Sequence, residues 1–196
     1  MGVPWSFRGA GARFEWLWHT GFAMEPPTAP ATPVSIRRAS EEDAEGIVAV
    51  WRAVASARIY SAVDQPWTVA EERRYLRSLS PREAMHVAVA GTGVVVGFQS
   101  LDLYSPVLTS MAHVGQAGTF LLPDWRRRGI GNLLWQATRG FAVLAGYVKI
   151  AIQVRASNTG AQAFYRNLGF RECGRLARQV IIDGSPDDEI LMELFL

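Results

Sequence analysis

Two stretches of the 196-residue chain hold residues whose types and spacing could do chemistry. The first runs Thr119-Phe120-Leu121-Leu122-Pro123-Asp124-Trp125-Arg126-Arg127-Arg128-Gly129-Ile130-Gly131-Asn132. An apolar segment stops at a proline, three arginines follow, and Gly-x-Gly opens a helical pattern. Glycines there let the backbone approach a ligand closely. The first N–H groups of a helix lack intrahelical partners and form an anion seat. Arg126, Arg127 and Arg128 would add charge-assisted bonds to phosphate oxygens. A tight strand-to-helix turn with solvated arginines explains the same residues equally well. No Gly-Lys-Ser/Thr follows, and Leu134 stands where a full Gly-x-Gly-x-x-Gly would end. The second stretch is Asn158-Thr159-Gly160-Ala161-Gln162-Ala163-Phe164-Tyr165-Arg166-Asn167-Leu168-Gly169-Phe170. Asn158 can bond an amide-rich ligand at the end of a strand, and Tyr165 follows about two helical turns later. Gly169 closes the helix as a C′ residue. Read alone, Tyr165 is equally a core aromatic with a satisfied hydroxyl.

Regular elements must carry these residues. A strand is predicted over residues 34–37, then a cap at Ser40-Glu41-Glu42-Asp43 and helical spacing of Ile47, Val48, Val50, Trp51 and Val54. Thr68-Val69-Ala70-Glu71 caps a second helix reaching about Leu79. Strands follow over 85–90 and 94–105 around Gly91-Thr92-Gly93, and another over 111–122. A helix over 129–146 places Ile130, Leu133, Leu134, Ala137, Phe141 and Leu144 on one side. A buried strand over 148–154, a helix over 159–168, and strands 170–182 and 189–196 around Asp183-Gly184-Ser185-Pro186 complete the chain. This order predicts an α+β domain over 34–196 with a mixed sheet.

Residues 1–33 differ. They hold Trp5, Trp16 and Trp18, then four prolines between Glu25 and Pro33, and read as an irregular arm and extended linker. Met24 is an alternative start, and docking of the arm on the body or on a second copy in a homodimer is the other reading. Apolar residues make up 49% and the net charge is +2, which rules out wholesale disorder and gives no pull towards nucleic acid. One cysteine, Cys173, excludes an internal disulfide framework and a multi-cysteine metal site, so no metal is expected. No apolar run reaches the ~18 residues of a membrane span, and a cytoplasmic address is the default.

Together the two stretches resemble the GNAT superfamily of acyl-CoA-dependent N-acetyltransferases, in its small bacterial amino-acid and phosphinothricin branch. The family's loop reads Gln/Arg-x-x-Gly-x-Gly/Ala, which Arg126, Gly129 and Gly131 match. Its later block is matched by Asn158, Ala161, Phe164, Tyr165, Gly169 and Phe170. The resemblance spans roughly residues 34–196. It implies a mixed, splayed six- to seven-stranded sheet flanked by about four helices. It implies acetyl-CoA as cosubstrate, lying between the strand ending at Leu122 and the one ending at Val154. Backbone groups of Phe120, Leu121 and Leu122 would pair with the pantetheine arm, and amides of residues 127–132, Ile130 and Asn132 included, would hold the pyrophosphate. Asn158 would meet the pantetheine or sulfur region, in a block that includes Ala161 and Phe164. Tyr165 would protonate the leaving thiolate. Arg127 departs from the family, where glycine is common.

Many relatives carry a glutamate on the strand before the loop as general base. Here Gln116 stands near that place, and His113 is the only titratable group on the segment. Gln116 can orient water but cannot take a proton. Water chains to Asp64 or Glu172 are the other routes. A lysine-like amine costs about 4–5 kcal/mol to deliver neutral at pH 7, a peptide-type α-amine about 1–1.5 kcal/mol. Weak base machinery therefore predicts a low-pKa acceptor such as an amino-acid derivative. In the family, the segment between the first two helices borders the acceptor site. Tyr60, Trp67 and Tyr104 would wall it, and Arg58 would pair a substrate carboxylate. The reading is acetyl transfer to a small primary amine. Acetylation of a peptide N-terminus or lysine, and a non-catalytic acyl-CoA-binding module, are its rivals.

Overall fold

The computed structural model describes residues 33–63 and 65–196. Most of the predicted arm, residues 1–32, and Asp64 lie outside the described residues. Regular structure begins with β1 (Val34–Arg38), tied to Ala84–Ala90 (β2), which turns into Val95–Leu103 (β3). Between β1 and β2 run α1 (Ala44–Ser56) and α2 (Val69–Ser78). Helix α2 starts at a capping box: Thr68 accepts from the Glu71 N–H, and the Glu71 carboxylate accepts from the Thr68 N–H. After β3 come β4 (Val114–Leu121), α3 (Ile130–Leu144), β5 (Lys149–Arg155), α4 (Thr159–Asn167), β6 (Arg171–Ile182) and β7 (Ser185–Phe195).

The seven strands form one sheet in the order β1-β2-β3-β4-β5-β7-β6. Every neighbouring pair is antiparallel except β4 and β5. That parallel pair is short: Val114, Gly115 and Gln116 oppose Lys149, Ile150 and Ala151. Beyond Gln116 the two strands part, while β4 stays paired with β3 as far as Leu121. The splay opens the sheet where the two chemically informative stretches meet it.

Each face of the sheet has its own helices. Phe98 packs with Ile47, Val50 and Val54 of α1. The opposite face carries Leu101, Ala117 and Ile152 against Trp135 of α3 and Tyr165 of α4. Burying such side chains stabilises the fold by roughly 1.5–3 kcal/mol each. The buried stripe of α3 is Ile130, Leu134, Trp135, Thr138 and Ala142. Leu133 and Leu144, predicted to face the core, are exposed: the buried face of α3 is rotated about the helix axis from the predicted one, so that Trp135 and Thr138 enter the core.

Two strand boundaries also differ from expectation. Residues 109–111 form a 3-10 turn closed by the Ala112 N–H on the Thr109 carbonyl, so β4 begins at Val114 and His113 sits in a turn. Strand β7 starts at Ser185 rather than 189, because Asp183 (φ 51°) and Gly184 (φ 77°) suffice for a two-residue hairpin turn. Pro186 is tolerated there, since β7 outruns β5 and pairs at that point with β6 alone. Among the described residues, no helix is long and apolar enough to cross a membrane.

Candidate active site

A cavity of about 750 Å³ opens at the splay. Its floor is Thr119, Phe120 and Leu121 of β4; its walls come from the start of α3 and from α4. Arg126, Arg127, Gly129, Gly131, Asn132, Asn158, Ala161, Phe164 and Tyr165 all line it. Two helix N-termini therefore converge on one cleft beside two guanidinium groups, an arrangement suited to phosphate. Three residues expected at the cofactor do not line it. Ile130 is buried in the core, Leu122 packs against the core beside Ile130, and the Arg128 guanidinium lies over the Trp125 ring at 5.1 Å.

The loop is built for close approach. Arg127 holds a left-handed backbone (φ 58°), as does Gly129 (φ 78°). For a non-glycine residue this conformation costs about 1–2 kcal/mol. A Cβ on Gly131 would meet the Phe164 ring at 3.0 Å, so its glycine lets α3 and α4 pack together. The Asn132 N–H donates to the Gly129 carbonyl at 3.0 Å and closes the first turn. It is therefore not an anion donor, which corrects the expectation for that amide; the N–H groups ahead of it precede the first helical bond. Arg126 donates from Nε and Nη2 to the Leu121 carbonyl at 3.2 Å and lies over the Tyr60 ring at 3.7 Å.

Asn158 caps α4. Its Oδ1 accepts from the Ala161 N–H at 3.1 Å, and its Nδ2 donates to the Tyr60 carbonyl at 2.9 Å. Tyr165 is buried, and its hydroxyl donates to Thr119 Oγ1 at 2.9 Å, on the part of β4 that has no β5 partner. Burial pushes its pKa up, against the opposing effect of the Thr119 hydrogen bond.

A second cavity, of about 410 Å³, lies on the α1–α2 face and shares Phe120 with the first. Gln116 and Trp67 line it. So do Glu72 of α2 and Asp102 of β3, which were not singled out in the sequence. Asp102 stands opposite Gln116 across the β3–β4 ladder, on the same face as Ser100 and Phe98. Tyr75 donates its hydroxyl proton to Asp102. Glu72 is fully buried, and neither of its carboxylate oxygens meets a hydrogen-bond partner; the Trp51 indole N–H is likewise unpaired. Burial pushes the Glu72 carboxyl up to about 7, the Asp102 charge adding to the rise; the Trp51 indole N–H lies near enough to pull the other way but does not reach hydrogen-bond geometry. Burial also raises Asp102, against the Tyr75 and Ser100 hydrogen bonds. The signal that could have pointed to Glu72 is its phase: it shares the core-facing side of α2 with the partly buried Tyr75, Leu76 and Leu79.

The remaining candidates fall elsewhere. His113 is exposed in the turn before β4 and lines neither cavity. It lies six residues before Thr119, or about 20 Å along an extended chain. Arg58 forms an ion pair with Asp183 at the β6–β7 turn, with Nε to Oδ2 at 3.0 Å, and lines neither cavity. Tyr104 is exposed and lines neither cavity, and Tyr60 belongs to the first cavity rather than to the second. Glu172 pairs with Arg166 at 3.6 Å, and Asp64 lies outside the described residues. No group of three or more His, Cys, Asp or Glu among the described residues could hold a metal ion.

A mixed sheet splayed between its parallel strands, with an anion seat on one side and a buried tyrosine beneath, defines an N-acetyltransferase. Residues 41–170 match the sequence profile of the acetyltransferase (GNAT) family, and the chain belongs to that family. It is 29% identical over 143 residues to the peptidyl-lysine N-acetyltransferase YjaB of Escherichia coli K12, covering 72% of this chain and 85% of that protein. A phosphinothricin acetyltransferase of Sinorhizobium meliloti, solved with acetyl-CoA, superposes with a TM-score of 0.77 at 20% identity, over 83% of this chain and 88% of that one. A ribosomal-protein-alanine N-acetyltransferase of Brucella melitensis gives 0.75 at 22% identity, over 83% and 99%.

Proposed function

We propose that the protein transfers the acetyl group of acetyl-CoA to the primary amine of a small molecule by direct attack. The observation that carries this reading is the meeting of two cavities at Phe120, one phosphate-competent and one acid-lined. The residues present fit acetyl-CoA. Arg127 and the N–H groups at the start of α3 suit the pyrophosphate. The stretch of β4 beyond Gln116 has no β5 partner, so its backbone groups suit an extended, amide-bearing arm. Acetyl-CoA supplies an activated thioester. Tyr165, kept protonated by burial, suits the role of acid for the departing sulfur. A backbone N–H near the end of β4 suits the oxyanion.

The second cavity's modest size and aromatic walls, Trp51, Trp67, Tyr75 and Phe120, favour a small acceptor over a folded peptide segment. A second reading, acetylation of a peptidyl lysine, is favoured by the similarity to YjaB. The two are separated by assaying thiol release with free amines and with a lysine-containing peptide. Turnover of free amines at kcat/KM at least tenfold above the peptide supports the small-molecule reading; the reverse order replaces it with the peptide reading.

A further inference from the structure

The second cavity lacks a cation. Its lining holds two carboxyl groups, a glutamine and aromatic rings, with no Arg, Lys or His among the described lining residues. Glu72 carries the argument. A buried carboxylate without a partner is costly, and pairing with a cation removes most of that cost. Among the described residues nothing else lining the cavity supplies one: α1 brings the Trp51 indole, β4 the neutral Gln116, and β3 a second carboxyl, Asp102. Glu83, further along, adds negative charge that bears on Asp102. The missing partner is positive, and no described residue supplies it.

We propose that Glu72 and Asp102 together seat the acceptor's ammonium group and take up the proton it must shed, and that this ammonium sits on an apolar or aromatic stem with no carboxylate beside it. The inference rests on the acetyltransferase reading for its chemistry. An amino-acid carboxylate next to the amine would face Glu72 and Asp102 with like charge, so the cavity opposes the amino-acid acceptors that Gln116 alone suggested. The proton balance closes. The ammonium nitrogen gives one proton to the carboxyl pair, and its lone pair then forms the N–C bond to the thioester carbonyl. The C–S bond breaks with its electrons going to sulfur, which takes the Tyr165 proton. The second nitrogen proton passes to water, which reprotonates Tyr165, and the pair returns its proton to solvent. Because the two carboxyls interact, they titrate as a pair. Tyr75, bonded to Asp102, is a positioning residue.

The test uses full-length protein with phenethylamine, phenethyl alcohol as the neutral isostere, and phenylalanine as the same scaffold bearing a carboxylate. Thermal shift reads binding without chemistry, and kcat/KM at saturating acetyl-CoA reads transfer from pH 6 to 9.5. Phenethylamine should raise the Tm of the native protein where the alcohol does not, and Glu72→Gln and Asp102→Asn should each abolish the shift. The native kcat/KM should fall on the acid side with a midpoint near 7. Glu72→Gln should lose that limb and fall by about 10²-fold or more. Phenylalanine should be at least tenfold poorer than phenethylamine. Asp102→Asn keeps the test open should Glu72→Gln fail to fold. No amine shift in the native protein, or variants that bind and turn over within twofold of it, overturns the seat; equal use of phenylalanine overturns the carboxylate exclusion. An amine shift lost in both variants but without acetylated product upholds the seat and overturns the transferase reading instead.

Discussion

Tyr165 and Glu72 are both buried acids, and burial favours the protonated form of each, which suits one as a proton donor and leaves the other able to take a proton near neutral pH. Burial raises the Tyr165 pKa and keeps its hydroxyl protonated, which suits a proton donor to a thiolate. Tyr165→Phe keeps the ring packed against Phe164 and Phe170 and removes only the hydroxyl. It should lower kcat by about 10–10³-fold, towards the low end because a thiol of pKa ~8.5 leaves readily, while acetyl-CoA affinity stays the same. Retention of kcat within twofold, with chemistry shown to limit the rate, would make the hydroxyl structural. Glu72 is held closer to neutral, and its folded pKa of about 7 exceeds its unfolded value near 4.5. Stability from this residue is thus fully present below the unfolded pKa and is lost as pH rises through the folded one. Glu72→Gln removes the titration and should stabilise the protein at pH 8 by up to about 3 kcal/mol, with little effect at pH 4.5. Urea melts of the two proteins with equal stability differences at both pH values would contradict this. Tyr165 was legible in the sequence because neighbours at fixed spacing point to it. Glu72 was not, because the Thr68–Glu71 cap beside it reads as an exposed, acidic helix start. Gln116 then drew attention to β4 for an acid that β3 and α2 supply.

At the scale of elements, the loop leading into α3 carries backbone strain. Arg127 adopts φ 58° where relatives commonly place glycine, so its side chain is kept against a backbone cost. Arg127→Gly should leave stability unchanged or raise it by at most about 1 kcal/mol, because the added freedom of the unfolded chain offsets part of the relief. Acetyl-CoA binding should weaken through loss of the guanidinium. A thermal melt showing clear destabilisation would mean that the arginine's contacts outweigh the strain. Most elements were legible from caps and periodicity, including the hairpin of β2 and β3 and the glycine exit from α4. The misjudged ones share a cause. The 3-10 turn at 109–111 and the rotated face of α3 are decided by tertiary contacts, which local pattern does not contain. Contacts across elements were hidden likewise: Asn158 with Tyr60, Arg126 with Leu121, and Arg58 with Asp183.

At the scale of the whole molecule, the short β4–β5 pairing creates both the donor cleft and its junction with the acceptor cavity. Family membership and a mixed, splayed sheet followed from motifs in register, whereas the strand order and the division of labour between the two sheet faces needed the structure itself. The family match begins at residue 41, and a chain starting at Ala31 should fold cooperatively and keep kcat within a few-fold. Loss of activity or of a cooperative melt would make residues 1–30 part of the site or of a subunit contact. The central claim is that acetyl-CoA binds in the splay, at the start of α3. Calorimetry of acetyl-CoA against the native protein, Arg127→Glu, Gly131→Glu and Glu72→Gln tests it most directly. Arg127→Glu puts a negative charge at the pyrophosphate seat without changing the backbone demand, and Gly131→Glu adds both charge and bulk against Phe164. The account predicts tight binding to the native protein, the same affinity for Glu72→Gln, and at least a tenfold loss in each of the other two. Unchanged affinity in both Arg127→Glu and Gly131→Glu would contradict it.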